Sequence, residues 1–214
     1  MTARRIPLFP LPGVVLLPGT LLPLHIFEPR YRALVADALE GDRTIGMAML
    51  KPGWEQADEP PPIHAIGGGG EIVESEELED GRYNILLEGK FRYRVLDETP
   101  PNPYRLAHVE EIPAAPFGTR PARDRALAAA VALYSGIALE MELPPLPTGG
   151  LSAERLASEI ALRLRYAPPE LQAFLEMDSL SIRYETLLSR MLEWRNRVRF
   201  LAPYRPQDLD STRN

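Results

Sequence analysis

Any chemistry in this 214-residue chain has to come from a short inventory of reactive groups: three histidines, two lysines and no cysteine. Without cysteine there is no disulfide framework, no thiolate zinc site and no cysteine nucleophile. His25, His64 and His108 are far apart and share no ligand-spaced partner, so a metal site is not expected. No serine sits in a Gly-x-Ser-x-Gly elbow or a Ser-x-x-Lys pair, and Lys51 and Lys90 read as solvated charges in a proline loop and a hairpin turn. The carboxylates from Glu74 to Asp80 lack apolar neighbours that would separate their pKa values, so they read as a solvated face rather than an acid and base. Arg92, Arg94 and Arg105, with Tyr93 and Tyr104 nearby, could stack on single-stranded RNA or simply pair with local acids. His25, Glu28 and Arg30 stand at the mouth of the first expected helix, where they either form a polar site or satisfy buried backbone groups. Trp54, alone in a proline-rich loop, either folds back onto the protein or is offered to a partner.

The elements that must position these residues begin with an apolar segment carrying prolines at 7, 10, 12, 18, 23 and 29, which forbid a continuous helix. Pro12-Gly13 and Pro18-Gly19 match type II turns around an expected buried strand, Val14–Leu17. Pro29 opens a helix whose apolar stripe is Tyr31, Leu34, Val35, Ala38 and Leu39, with Gly41 as its stop. Thr44–Leu50 reads as a strand, 51–62 as an exposed loop, and Gly67–Gly70 as a flexible lead into a strand at 71–74. Tyr83–Leu87 and Phe91–Val95 alternate as two strands of a hairpin with its bend at Glu88-Gly-Lys90, and Tyr104–Ile112 gives one more strand.

After Pro113 the hydrophobic period changes from two to 3.6. The spacing predicts helices over 123–143, from a Ser152 cap through Leu164, from Pro168 through Met177, and from an Asp178 or Ser179 cap along a stripe of Tyr184, Leu187, Leu188, Met191, Leu192 and Val198. The expected organisation is α+β: a β-rich subdomain at 1–113, a linker at 114–122, a helical bundle at 123–200 and a tail at 201–214.

A chain of this length can bury about 70% of its unfolded surface, so a substantial core is expected. The net charge of −6 is uneven: residues 1–113 carry 11 basic and 18 acidic side chains, against 13 and 12 in 114–214. An acidic front half disfavours nucleic acid as a partner. The prolines interrupt any signal-peptide core, and no run of about 18 apolar residues could span a bilayer. A cytoplasmic, non-membrane protein is the expectation.

Several blocks together resemble the Lon N-terminal domain family: Pro7-Leu-Phe-Pro-Leu-Pro-Gly13, Leu17-Pro-Gly19, Leu22-Pro-Leu-His-Ile-Phe-Glu-Pro-Arg-Tyr-Arg32, Gly41-Asp-Arg43, Ile45-Gly-Met47 and Asp80-Gly-Arg-Tyr-Asn84. The likeness continues more weakly through Leu175-Glu-Met-Asp178 and Arg183. It implies a PUA-like β pseudo-barrel followed by a helical bundle, a module that cereblon also carries. In Lon proteases the domain precedes an ATPase and a serine–lysine protease, neither of which fits within 214 residues. The resemblance therefore implies a non-enzymatic module, with no cofactor, that binds unfolded or partly folded polypeptides or another protein; an RNA-binding PUA-like module is the alternative. The expected binding surface is an apolar groove beside the first helix, formed by His25, Phe27, Glu28, Arg30 and Tyr31 and lidded by Trp54.

Overall fold

The computed structural model describes residues 3–147 and 149–201. In chain order the elements are β1 (Ala3–Leu11), β2 (Leu21–Ile26), α1 (Pro29–Glu40), β3 (Thr44–Met49), β4 (Ile66–Glu77), β5 (Tyr83–Thr99), β6 (Arg105–Glu111), α2 (Arg120–Met141), α3 (Ala153–Arg163), α4 (Pro168–Glu176) and α5 (Leu180–Leu201). The class is α+β. The sheet runs β2-β5-β4-β3-β1-β6, and β5 pairs again with β6, which closes five strands into a ring and leaves β2 attached outside it. Only β1 and β3 are parallel; the other pairings are antiparallel.

β1 and β2 are strands despite their prolines, and the register explains why. β1 pairs with β6 over 3–8 and with β3 over 8–11, so Pro7 and Pro10 each have a strand on one side only. A proline lacks the N–H that a second ladder would use. Pro23 is accommodated the same way, because β2 pairs with β5 alone.

Val14–Leu17, expected as a strand, pairs with nothing. It crosses over β4 and β5 where their glycines leave room: a Cβ on Gly68 would lie 1.9 Å from the Leu16 carbonyl oxygen, and one on Gly89 2.2 Å from that of Leu17. Gly67–Gly70 is therefore a buried part of β4 and not a flexible lead into it. Glu88-Gly-Lys90 is likewise no hairpin bend. β5 runs unbroken for 17 residues, with a register shift opposite Gly69 and Gly70 where Gly89 and Phe91 flank the extra residue Lys90. Such a bulge bends the strand, so one strand can serve both β2 and β6.

α1 matches its predicted span, burying Tyr31, Leu34, Val35 and Ala38 against Phe9, Ile45, Met47 and Leu87. α2 starts at Arg120, earlier than the hydrophobic period implied, because Thr119 caps it by accepting from the Ala122 N–H. Ser152 caps α3 through the Arg155 N–H, and Tyr184, Leu187 and Met191 of α5 join Tyr134, Ile160 and Phe174 in the helical core. Leu192 is 41% exposed and so stands off that stripe. The side chain of Val198 and the tail from 202 lie outside the described residues.

Two buried arginines meet where the barrel joins the helices. Arg92 of β5 donates to the carbonyls of Leu175 (2.7 Å) and Met177 (3.0 Å), and Arg183 of α5 reaches the same two at 3.5 and 3.1 Å while pairing with Glu154 at 3.0 Å. Burial lowers the pKa of both, and each guanidinium still finds carbonyl acceptors, as a buried cation requires.

Candidate functional site

The first turn of α1 lines a groove at one end of the barrel. Pro10, Leu11 and Pro12 of the β1 end form its floor with Leu50; Glu28, Arg30 and Tyr31 form one wall, and Trp54, Glu59, Pro60 and Pro61 the other. Pro101, Pro103, Tyr104 and Arg105 complete it, around a cavity of about 190 Å³. That is too small for a drug-sized cofactor, which needs roughly 300 Å³ or more. It is ample for one aromatic or aliphatic side chain, since a cavity of about 150 Å³ holds benzene. A shallower trough of about 530 Å³ continues past Pro60, Pro101 and Arg105 along Pro62, Ile63 and Thr99.

Each wall is fixed by identifiable contacts. Arg105, 7% exposed, donates to Glu98 at 2.7 Å and to the Pro61 carbonyl at 2.6 Å, which ties the proline loop to β6. The loop is closed at its base by the Leu50–Ile63 bridge and by the Lys51 N–H donating to the Pro62 carbonyl at 2.9 Å. Trp54 opens a 3-10 turn, Trp54–Gln56, after Gly53 in the left-handed region at φ 80°. Its half-buried ring folds back against the cluster of Ile6, Leu8, Leu50, Ile63 and Tyr93 and also lines the groove.

Tyr31 packs on Phe9 with ring centroids 4.2 Å apart, and burial raises the pKa of its phenol. Arg30 lies over the Tyr31 ring at 4.6 Å and pairs with Glu28 at 3.0 Å. The Tyr104 hydroxyl donates to Asp37 at 2.6 Å; burial first, then that hydrogen bond, pushes its pKa up to about 12. Of the charged residues lining the groove, Arg30 pairs with Glu28 and Arg105 with Glu98, which leaves the exposed Glu59 without an ion pair among the described residues.

The structure thus brings Glu28, Arg30, Tyr31 and Trp54 together and separates His25 and Phe27 from them. His25 lies at the end of β2, where its Nδ1 is 2.7 Å from Asn84 Oδ1 and Arg82 donates to its Nε2 at 3.1 Å. That places the ring proton on Nδ1, because a guanidinium can only donate. Phe27 is 61% exposed beside it, with ring centroids 6.3 Å apart. Neither residue lines the groove. The floor and the far wall were missed, because Pro10, Leu50, Pro60, Pro101 and Tyr104 converge only through barrel closure. Their one sequence signal is the repeated proline clustering at 59–62 and 100–103.

The arginines considered for RNA are differently employed. Arg92 and Arg105 are buried on internal acceptors, and only Arg94 is exposed. His64 pairs with Glu176 at 3.1 Å and His108 with Asp97 at 2.7 Å. Among the described residues no group of three or more His, Asp or Glu side chains could hold a metal, and no helix is long and apolar enough to cross a membrane.

A five-strand ring with β2 attached outside it, followed by helices and opening on a small groove lined by prolines and aromatic side chains, defines an α+β domain of the closed-sheet kind. Residues 5–193 match the family described as the ATP-dependent protease La (LON) substrate-binding domain, and the chain belongs to that family. Lon protease of Dictyoglomus thermophilum is 36% identical over 107 residues, half of this chain and 13% of that protein. Lon protease of Syntrophomonas wolfei is 26% identical over 197 residues, covering 87% of this chain and 23% of that protein. The chain thus spans less than a quarter of the length of these relatives. The Lon N-terminal domain protein from Xanthomonas campestris superimposes with a TM-score of 0.64 at 26% identity, over 87% of this chain and 98% of that one. The N-terminal domain of Mycobacterium avium complex Lon protease shares the fold, with a TM-score of 0.67 at 15% identity over 89% and 99%.

Proposed function

We propose that this chain is a non-enzymatic polypeptide-binding module, and that its groove takes an exposed apolar side chain from an unfolded or partly folded protein. The observation that carries the reading is the groove itself: an aromatic and proline-walled cavity of about 190 Å³ whose lining holds one carboxylate, Glu59, without an ion-pair partner among the described residues. Proline walls are rigid and lack N–H donors, so they offer apolar contact without ordering cost and without competing for the bound chain's carbonyls. The adjoining trough lets an extended segment continue past the anchor residue. Glu59 favours segments with a basic residue beside the anchor. Membership of a substrate-binding family supports protein segments as the ligand.

Fluorescence anisotropy of a labelled unfolded polypeptide and of a single-stranded RNA, each across a salt series, tests this. Saturable polypeptide binding that survives moderate salt is expected, weakened about tenfold by Trp54→Ala with folding checked by circular dichroism at the assay temperature. Binding of RNA alone, with affinity falling steeply as salt rises, would overturn the reading. Polypeptide binding unchanged by both Trp54→Ala and Glu59→Lys would move the site off this groove.

A further inference from the structure

Helix α2 carries an outer face that the described residues leave uncovered. Ala130, Tyr134 and Ile137 point into the helical core, while Ala128, Ala132, Ser135 and Leu139, at i, i+4, i+7 and i+11, are exposed on the opposite side. Leu139 is 85% exposed and Val131 39%, and no charged residue occurs from Ala126 to Leu139. A helix apolar on both sides is normally buried on both. Beside this face, Leu127, Val131, Leu146 and Leu151 line an apolar cavity of about 610 Å³.

The charges that bracket the face point to its occupant. Arg120, Arg123 and Arg125 lie in the first turns and Glu140 and Glu142 at the end, and the first turn holds no acid and the last no base. This is the reverse of what the helix dipole favours. Asp124 engages Arg120 and Arg123, whereas Arg125 and Glu140 are exposed without ion-pair partners among the described residues. An antiparallel copy of the same helix, crossing near Ala132, would set each Arg125 against the other's Glu140. Gly136 fits that arrangement too: an added Cβ there meets nothing within 4 Å, so nothing among the described residues requires a glycine that weakens the helix. In the antiparallel pair it falls opposite Ala129 and permits close approach.

We propose that this face is a self-association surface, on which α2 of a second copy packs antiparallel through Ala128, Ala132 and Leu139, with Arg125–Glu140 pairs at both ends. A two-fold interface of this kind uses each contact twice, so a single substitution acts at two places. The second copy's Leu139 would seat beside Ala128, over the mouth of the lateral cavity. This inference is independent of the groove.

Sedimentation equilibrium of the full chain across a concentration series reads it directly. The expected result is a rise from the 23.9 kDa monomer toward twice that mass as concentration increases. Arg125→Glu and Glu140→Arg should each weaken association about tenfold, by replacing two attractive pairs with two repulsive ones, and the double swap should restore it. Leu139→Asp should abolish it, and the three substituted positions, Arg125, Leu139 and Glu140, are all exposed, so folding is preserved and verifiable by circular dichroism. A monomer at every concentration, or a dimer indifferent to these substitutions, would overturn the proposal.

Discussion

Replacing Arg92 by methionine tests whether the barrel and the helices are held together by a buried guanidinium. The side chain is 2% exposed and donates to the Leu175 and Met177 carbonyls at 2.7 and 3.0 Å. Charge-assisted hydrogen bonds contribute about 1.5–3 kcal/mol each, so the gross loss is about 3–6 kcal/mol. Three effects reduce it. Arg183 still reaches both carbonyls, methionine refills most of the volume, and removing one of two neighbouring buried cations relieves desolvation and like-charge repulsion. The expected net cost is about 2–3 kcal/mol, which for a chain of this size lowers Tm by roughly 5–10 °C. Urea titration followed by circular dichroism measures it, with Arg183→Met and the double variant completing a cycle. Because the two arginines share acceptors, the double variant should cost more than the sum of the singles. A loss below about 1 kcal/mol for Arg92→Met, or strict additivity, would refute the shared-clamp reasoning.

Gly68→Ala should be among the most damaging conservative changes, costing about 3 kcal/mol or more, because the new Cβ would lie 1.9 Å from the Leu16 carbonyl oxygen and force the crossing segment off the barrel; a soluble variant with unchanged urea midpoint would contradict that packing. Tyr104 binds its proton more tightly folded, with a pKa of about 12 against an ordinary value of 10.0, so its contribution is fully present below pH 10 and is lost as pH rises through 12. Stability measured from pH 9 to 12 should fall less steeply in Tyr104→Phe than in the parent, and parallel curves would refute the assignment.

Much of the architecture was readable because local physics repeats along the chain. The α1 stripe, the Gly41 stop, the Ser152 cap and the strands at 44–50 and 104–112 follow from short-range periodicity and capping chemistry that need no partner. The errors share one cause. β1, β2, the β4 glycines and the unbroken β5 all depend on which strand or segment lies alongside, and a proline or glycine reads as a breaker until its neighbour is known. The groove was half legible for the same reason: Glu28, Arg30 and Tyr31 travel together at one helix start, whereas Pro10, Pro60 and the Pro101–Tyr104 stretch come from three separate segments.

By itself the sequence determined the class: an acidic, cysteine-free α+β chain with the signature of a Lon substrate-binding domain and helices whose caps and stripes are locally encoded. Tertiary structure decided where recognition can occur, because the cavity exists only once β5 bends at its bulge and closes on β6, and Arg105 draws the proline loop over the first turn of α1. It also separated His25 and Phe27 from Tyr31, six and four residues away, since a strand end and a helix start point their side chains in different directions whatever their spacing in the chain.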